Sequence, residues 1–308
     1  MSDLKYSVQM FHEFTLQSCF NESYLPAFSY YGGNILYYLL NTIGIFRYDK
    51  GNLMSLYEMY ETREEMEKKA GIASIMYIDK QEDIVPRIID GLNNKKMFIC
   101  RTLNSWAYDE RTSRKTEVSN GIYHWNLVFG YDSKKEEFDV IEHLTNAAAL
   151  YYPMKMKYDV LEQAYENSFL HPSFKESLYV MWKKQDIPHI SDKDAYQYFI
   201  NERGKSFRLS MDSVKNYIAD VADMELSYNH VLKISDIIKS FQIFNYIILL
   251  FQKENDTGID LINSANLLRT YYIKWIRVKS SKNRDSIKKY TQNVSQLIDK
   301  LLADLATI

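Results

Sequence analysis

Cysteine is scarce in this sequence of 308 residues, which contains only Cys19 and Cys100. Two cysteines cannot form the disulfide framework that stabilises small secreted domains, and these two do not make a pair spaced like a metal or redox site. The histidines outside the candidate site also lack metal-ligand spacing. The sequence therefore excludes a disulfide scaffold, and we expect no metal ion.

An excess of charge of one sign is also missing, because 38 lysines and arginines stand against 40 aspartates and glutamates, for a net charge of −2. A chain without a strong overall field does not gather polyphosphate or anionic lipid. The basic stretch 279–289 is more typical of a solvated loop and helix start than of a nucleic-acid surface. We therefore expect no nucleic-acid partner.

Neither a secretory signal nor a long hydrophobic run is evident. The first residues carry no cationic start followed by an apolar run and a small-residue cleavage site. The most apolar stretch, 241–251, is much shorter than the roughly 20 apolar residues that a membrane-spanning helix needs. We expect a buried core helix there, no membrane span, and a cytoplasmic protein whose thiols stay reduced.

The patterns that are present indicate an α+β fold with two domains, since 308 residues exceed the usual size of one core. Residues 1–155 alternate between helical periodicity and short β-rich runs, whereas residues 156–308 are dominated by long apolar-periodic helices. We predict an α+β domain over the first range and an all-helical domain over the second. The clearest single feature is a β-hairpin, 123–131 with 137–142, around the polar turn 132–135.

Periodicity and breaker residues predict the remaining elements, without an obvious linker between the two domains. The predicted strands are 72–78 and 96–101. The predicted helices are 20–31, 34–46, 57–70, 81–92, 160–168, 191–202, 210–224, 231–253, 260–278 and 286–306.

Cys19 lies where a nucleophilic cysteine works best, directly after a polar segment and at the start of a predicted helix. The positive end of the helix dipole favours the thiolate, which is the reactive form. The Phe20 amide and the Gln17 side chain could then line an oxyanion hole. Asn104, which follows a predicted strand, is a further candidate for lining the site. Cys100 lies within that strand and is interpreted as a core residue.

His124 is the natural candidate for the base, because a nucleophile and its base are brought together by the fold rather than by local spacing. It begins one strand of the predicted hairpin, and the other strand returns to the same end at Glu142, whose carboxylate could orient the imidazole. Asp139 faces the other side of its strand by alternation. Taken alone, these residues also fit ordinary roles: an inert buried cysteine, a satisfied strand histidine and a solvated glutamate.

Four ordered segments resemble the N-terminal domain family of butirosin biosynthesis protein H, over roughly residues 10–165. The segments are 19–22 followed by Gly32 and 34–46, then 66–100, 124–132 and 138–142. The third, HWNLVFGYD, is similar to the family's histidine, apolar run and Gly-Tyr-Asp signature. The resemblance implies a papain-like cysteine peptidase fold for the first domain. It also implies that Cys19 is the nucleophile, His124 the base and Glu142 the acid, where the family commonly carries aspartate.

The resemblance further implies acyl transfer in natural-product assembly, including nonribosomal peptides. The cysteine would accept an acyl group from a carrier-protein thioester and pass it to an amine. The implied partners are an acyl or peptidyl carrier protein and a small-molecule amine acceptor, with a phosphopantetheine arm presenting the substrate and no cofactor of the protein's own. A homo-oligomer also stays open. Two other functions remain: peptide or amide hydrolysis by the same three residues, and a noncatalytic binding or assembly protein with a papain-like shell.

Overall fold

The computed structural model divides the chain into two compact units. The first unit comprises Met1–Tyr38 and Glu61–Ser191, and the second comprises Leu39–Tyr60 and Asp192–Ile308. The residues that the structure describes are 3–11, 14, 16, 18–43, 45–49, 51–56, 62–109, 114–143, 151–170, 176–188, 190–251 and 256–305.

Strands and helices alternate in the first half of the chain, and helices dominate the second. The strands are β1 (Leu4–Lys5), β2 (Ile45–Asp49), β3 (Asn52–Leu56), β4 (Ile72–Tyr77), β5 (Lys96–Asp109), β6 (Arg114–Asp132), β7 (Glu137–His143), β8 (Tyr151–Lys157) and β9 (Leu178–Lys183). The helices are α1 (Cys19–Tyr30), α2 (Ile35–Thr42), α3 (Arg63–Lys69), α4 (Ile84–Asn93), α5 (Tyr158–Asn167), α6 (Asp192–Val221), α7 (Tyr228–Phe251), α8 (Asp256–Arg277) and α9 (Ser281–Leu305).

An antiparallel sheet forms the centre of the first unit. Among the described residues it has seven strands, in the order β4-β9-β5-β6-β7-β8, with β1 paired to β6. The turn between β6 and β7 is set by Asp132, whose carboxylate accepts hydrogen bonds from the main-chain N–H groups of Lys134 and Lys135 at 3.1 and 3.0 Å. This local bonding explains why the sequence signals the hairpin so clearly.

Helices α4 and α5 cover one face of this sheet. Phe98 and Cys100 of β5 and Val128 of β6 pack there against Ile88 of α4 and Leu161 of α5. Each of these side chains is buried. Because side chains alternate along a strand, Phe98 and Cys100 share this face, and Val128 joins them as the residue paired with Phe98.

Helix α1 packs on the opposite face of the sheet. The ring of Phe20 makes edge contacts with Trp125 of β6 and Tyr179 of β9, at centroid distances of 5.2 and 5.4 Å. The hydroxyl groups of Tyr24 and Tyr179 both donate to the buried carboxylate of Glu67 on α3. These aromatic and polar contacts fix the start of α1 relative to strand β6.

Strand β1 is held against β6 by main-chain pairing and by charge. Lys5 pairs with Gly130, where a Cβ atom would meet the Leu4 carbonyl oxygen at 2.7 Å, so no larger residue fits. The buried carboxylate of Asp139 bonds the ammonium groups of Lys5 at 3.0 Å and Lys155 at 2.8 Å. The N-terminal strand is thus fixed on the same strand that α1 contacts.

The second unit combines the β2–β3 hairpin with the four long helices α6 to α9. Helix α6 contacts β2 and α9, and α8 packs against both α7 and α9. One contact of the hairpin is a hydrogen bond of 2.8 Å from the Phe46 amide to the Ser210 hydroxyl of α6. The ring of Phe244 of α7 packs against the ring of Phe207 of α6 in a tilted arrangement, with centroids 4.3 Å apart.

The predicted α+β class is confirmed, with an antiparallel sheet in the first half and helices in the second. Strand β9 was not predicted, and residues 156–191 belong to the first unit, so the predicted boundary at 155 falls inside that unit. Periodicity cannot distinguish a strand from a helix segment in an apolar run as short as LYVMWK. The strands that pair with it, β4 and β5, are remote in sequence and give no local signal.

Four helix predictions differ from the observed elements. The helix predicted over 34–46 ends at Thr42 and is followed by strand β2, whose residues pair with β3. The helices predicted over 191–202 and 210–224 form one helix, α6, which continues through Gly204. Of the helix predicted over 57–70, the structure describes Arg63–Lys69 as α3, while 57–61 lie outside the described residues.

Among the described helices, α7 is long and apolar enough to cross a membrane by length and composition. Half of its most apolar window is buried inside the structure. The interpretation of 241–251 as a buried core helix holds for Phe241, Phe244 and Ile247, which are at most 1% exposed, but not for the exposed residues 249–251.

Candidate active site

Cys19 is the first residue of α1, and its neighbours explain why the helix starts there. Ser18 has an extended conformation, and its side chain accepts a hydrogen bond from the Asn21 N–H at 3.2 Å. This is the N-cap arrangement that satisfies one of the four free N–H groups of a helix start. The acidic Glu22 lies in the first turn, where a negative charge interacts favourably with the positive end of the helix dipole. Cys19 itself is partly exposed.

The first turn of α1 contacts the main chain of β6 at Trp125. The Ser23 hydroxyl donates a hydrogen bond of 2.6 Å to the Trp125 carbonyl oxygen. The Trp125 main chain also stabilises the thiolate form of Cys19 by hydrogen bonding. The β6–β7 ladder runs from Leu127 to Asp132 along β6, so Trp125 lies beyond its end. The main chain of Trp125 therefore forms hydrogen bonds with Ser23 and Cys19 of α1.

Opposing effects act on the thiol. Burial raises the pKa of Cys19 above its ordinary value, and the charge of Glu142 raises it further. The main chains of Trp125, Phe20 and Cys19 itself lower the pKa by hydrogen bonding to the thiolate, but burial outweighs them. Burial thus favours the protonated thiol, and the main-chain hydrogen bonds favour the thiolate that the helix-start position predicts. The effect of burial arises because desolvation penalises the charged form.

His124 and Glu142 lie on the strands that the hairpin prediction gave them. His124 pairs with Thr102 across β5 and β6, and Glu142 pairs with Tyr152 across β7 and β8. Glu142 is 7% exposed, and the Nδ1 atom of His124 is buried. The structure thus brings an imidazole and a carboxylate to neighbouring strands of one sheet.

Strand alternation assigns these side chains to faces. Val128 and Val140 pair across β6 and β7 and belong to the core beneath α4 and α5. His124 and Glu142 are separated from them by even numbers of residues, so both are assigned to that face. Trp125 is assigned to the α1 face. Cys19 approaches the strand at Trp125, so alternation assigns the His124 side chain and the α1 contact to opposite faces of β6.

The predicted lining residues have different outcomes. The Phe20 main chain hydrogen-bonds to the Cys19 thiolate, while the Phe20 ring packs on Trp125. Asn104 lies in β5, paired with Ile122 next to a bulge, and its side chain is outside the described part of the structure. Gln17 lies outside the described residues.

Cys100 has the core position expected of it. It is 0% exposed, and burial raises the pKa of its thiol far above the ordinary range. A thiol of this kind is chemically inert. Cys100 faces the α4 and α5 core together with Val128.

Ser18, Ser23 and Trp125 contribute to the site but were not singled out from the sequence. A serine directly before a predicted helix is a recognisable N-cap signal, so Ser18 could have been identified. The Ser23 hydroxyl and the Trp125 carbonyl are 102 residues apart. No local pattern predicts such a pair.

The described residues contain no group of three or more His, Cys, Asp or Glu side chains that could hold a metal ion. Comparison with known proteins adds no relative to this picture, because no family model and no curated protein matches the chain. The interpretation of the site therefore depends on its own geometry.

Proposed function

We propose that the chain is a cytoplasmic cysteine-dependent acyltransferase of natural-product biosynthesis, with a papain-like first unit that acts on a carrier-bound thioester. The observation that carries the proposal is the partly exposed Cys19 thiol at a capped helix start, hydrogen-bonded by the main chains of Phe20 and Trp125. Main-chain donors aimed at a nucleophile can also stabilise the oxyanion that forms next to it. Glu142 adds a buried carboxylate nearby.

In the proposed reaction the Cys19 sulfur attacks the carbonyl carbon of the thioester and forms a new carbon–sulfur bond. His124 accepts the thiol proton as the bond forms, which is required because the resting thiol is protonated. Main-chain N–H groups at the helix start bind the tetrahedral oxyanion. The carbon–sulfur bond of the donor then breaks, and its sulfur leaves with the proton from His124. The acyl group remains on Cys19.

The second half-reaction transfers the acyl group. An amine attacks the Cys19 thioester, His124 takes one amine proton, and the Cys19 thiol is regenerated as the amide forms. Glu142 holds the imidazolium in position. A phosphopantetheine arm is a suitable donor because it presents the thioester on a long flexible chain. The carrier protein, the amine acceptor and a homo-oligomeric state remain parts of the proposal.

The test is intact-protein mass spectrometry after incubation with hexanoyl-pantetheine, a thioester that needs no carrier protein. We expect the wild type to gain one hexanoyl group, Cys100→Ala to gain it equally, and Cys19→Ala to gain none. His124→Ala should slow acylation near pH 7 by about 10²–10⁴-fold, which is typical for loss of a general base. Release of the acyl group by an added primary amine faster than by water would distinguish transfer from hydrolysis.

A noncatalytic binding or assembly protein is the second candidate, and two observations favour it. The pKa of Cys19 is raised, and strand alternation assigns His124 to the face opposite Trp125. In this case the wild type would gain no acyl group, and the iodoacetamide reaction of Cys19 would need a pH above the pKa of an ordinary thiol, about 8.5. His124→Ala would leave that reaction unchanged.

A further inference from the structure

The second unit contains a cleft of about 510 Å³ that plays no part in the chemistry proposed for Cys19. Its volume is in the range of about 300–1,000 Å³ that is common for small-molecule sites. Apolar and aromatic side chains dominate the wall. Four of the rings belong to Tyr196, Phe199, Phe207 and Phe251. The rings of Tyr196 and Phe251 are in contact, with centroids 5.1 Å apart.

Gly204 opens the cleft in the middle of α6. Within the described part of the chain, a Cβ atom at this position would have no neighbour closer than 4 Å, so no close contact seen there requires a glycine. Glycine is among the least favourable residues inside a helix, because it loses the most backbone freedom. Because Gly204 has no side chain, it leaves open space where this 30-residue helix forms the wall of the cleft.

Two cationic side chains line the cleft at different positions along α6. Among its described lining residues are Lys193 and Arg208 but no aspartate or glutamate. Arg208 lies four residues after Gly204 and therefore on the same side of α6, within one turn of the open space. The planar guanidinium matches a carboxylate in a bidentate pair. Lys193 lies about four turns away, or about 22 Å along the helix, so both cations cannot bind one carboxylate.

We infer that this cleft binds a single-chain aliphatic carboxylate, with its carboxylate on Arg208 and its chain lying over Gly204 towards Tyr196. The apolar wall buries the chain, and the open space at Gly204 lets the chain pass beside the helix backbone. The inference goes beyond the proposed acyl transfer and does not depend on it.

The test is calorimetric titration of the full chain with octanoate, decanoate and octan-1-ol. We expect saturable binding of both carboxylates, with the affinity rising by about fourfold for each added methylene, as for burial in an apolar site. Octan-1-ol should bind at least about tenfold more weakly than octanoate, because it cannot form the charged pair with Arg208.

Variants of α6 separate the chain from the head group. Gly204→Trp should weaken decanoate binding by at least about tenfold by filling the space, whereas Gly204→Ala should bind within about threefold of the wild type and unfold at a higher temperature. Arg208→Gln should remove the preference for octanoate over octan-1-ol. Lys193→Gln is the matched control in the same cleft and should retain that preference.

Several outcomes would overturn the inference. They are the absence of saturable decanoate binding up to about 1 mM, equal affinity of Gly204→Trp and wild type, or loss of the carboxylate preference in Lys193→Gln instead of Arg208→Gln. Circular dichroism checks that each variant is folded. If Gly204→Trp does not fold, the comparison of Arg208→Gln with Lys193→Gln still decides, since both substitutions change exposed side chains.

Discussion

The two cysteines of the first unit occupy contrasting positions. Cys19 begins a helix, is partly exposed and lies beside hydrogen-bond donors of the main chain. Cys100 lies inside strand β5, is fully buried, and its pKa is raised by burial alone. Both thiols have a raised pKa, but only one has groups that act against the rise.

The difference shows that the main chain can stabilise a thiolate only where its N–H groups are available to hydrogen-bond to it. In the centre of a sheet, the N–H groups are used by the ladder and none is left for a neighbouring sulfur. At a helix start, the first four N–H groups have no partner within the helix. Cys19 has access to such donors and to solvent.

The largest expected contrast is in reaction with iodoacetamide. The reagent can reach Cys100 only when the protein unfolds, and the unfolded fraction of a stable protein is about 10⁻³ or less. We therefore expect one label, on Cys19, in the native protein and two labels in denaturant, measured by intact mass and peptide mapping. Equal labelling of both thiols in the native protein would remove the contrast.

Stability should show the reverse order. Cys100→Ala leaves a small cavity in the core beneath α4 and α5 and should lower the free energy of unfolding by about 1–2 kcal/mol. Cys19→Ala should change it by less than about 0.5 kcal/mol, because the side chain is partly exposed. Urea unfolding monitored by circular dichroism measures both values. A larger loss for Cys19→Ala would mean that its role is mainly structural.

Removing the N-cap tests what holds the start of α1. Ser18→Ala loses the hydrogen bond from the Asn21 N–H and should lower the free energy of unfolding by about 1 kcal/mol. Ser29→Ala, near the other end of the same helix, is the matched control and should have little effect. If the two variants unfold alike in urea, the cap does not stabilise the helix as described.

The smallest expected effect is on the pH dependence of Cys19. The negative charge of Glu142 raises the pKa of Cys19, so Glu142→Gln should lower that pKa and move the alkylation profile to lower pH. Acyl transfer should fall at the same time, because the proposed partner of His124 is lost. Glu137→Gln, on the same strand, is the control and should leave the profile unchanged. A shift to higher pH would contradict the stated sign.

The fold was predictable where its cause is local. The 132–135 turn uses side-chain bonds to neighbouring N–H groups, so both strands of its hairpin were found. Strand β9 was missed because its two partners come from β4 and β5, each about 80 to 110 residues away along the chain. Its short apolar sequence carries no sign of those partners.

The site was predictable to a similar extent. The start of α1 at Cys19 follows from the polar segment before it and the helical sequence after it, so the position of the candidate nucleophile could be found. The burial that raises its pKa depends on β6 and could not be found, because the contact between Ser23 and Trp125 is long-range. The position of the imidazole depends on strand alternation, which requires the observed register.

The β1 strand has a consequence for Cys19 that acts through entropy. Strand β6 anchors the chain on both sides of residues 6–18: β1 pairs at Gly130, and α1 contacts Trp125. Closing a loop of this length costs about 2 kcal/mol, which the ion pairs of Asp139 help to offset. Asp139 is not among the groups that act on the pKa of Cys19. Loss of the Asp139 ion pairs would therefore act by weakening the attachment of β1 to β6. The fraction of molecules in which the start of α1 contacts β6 would then fall.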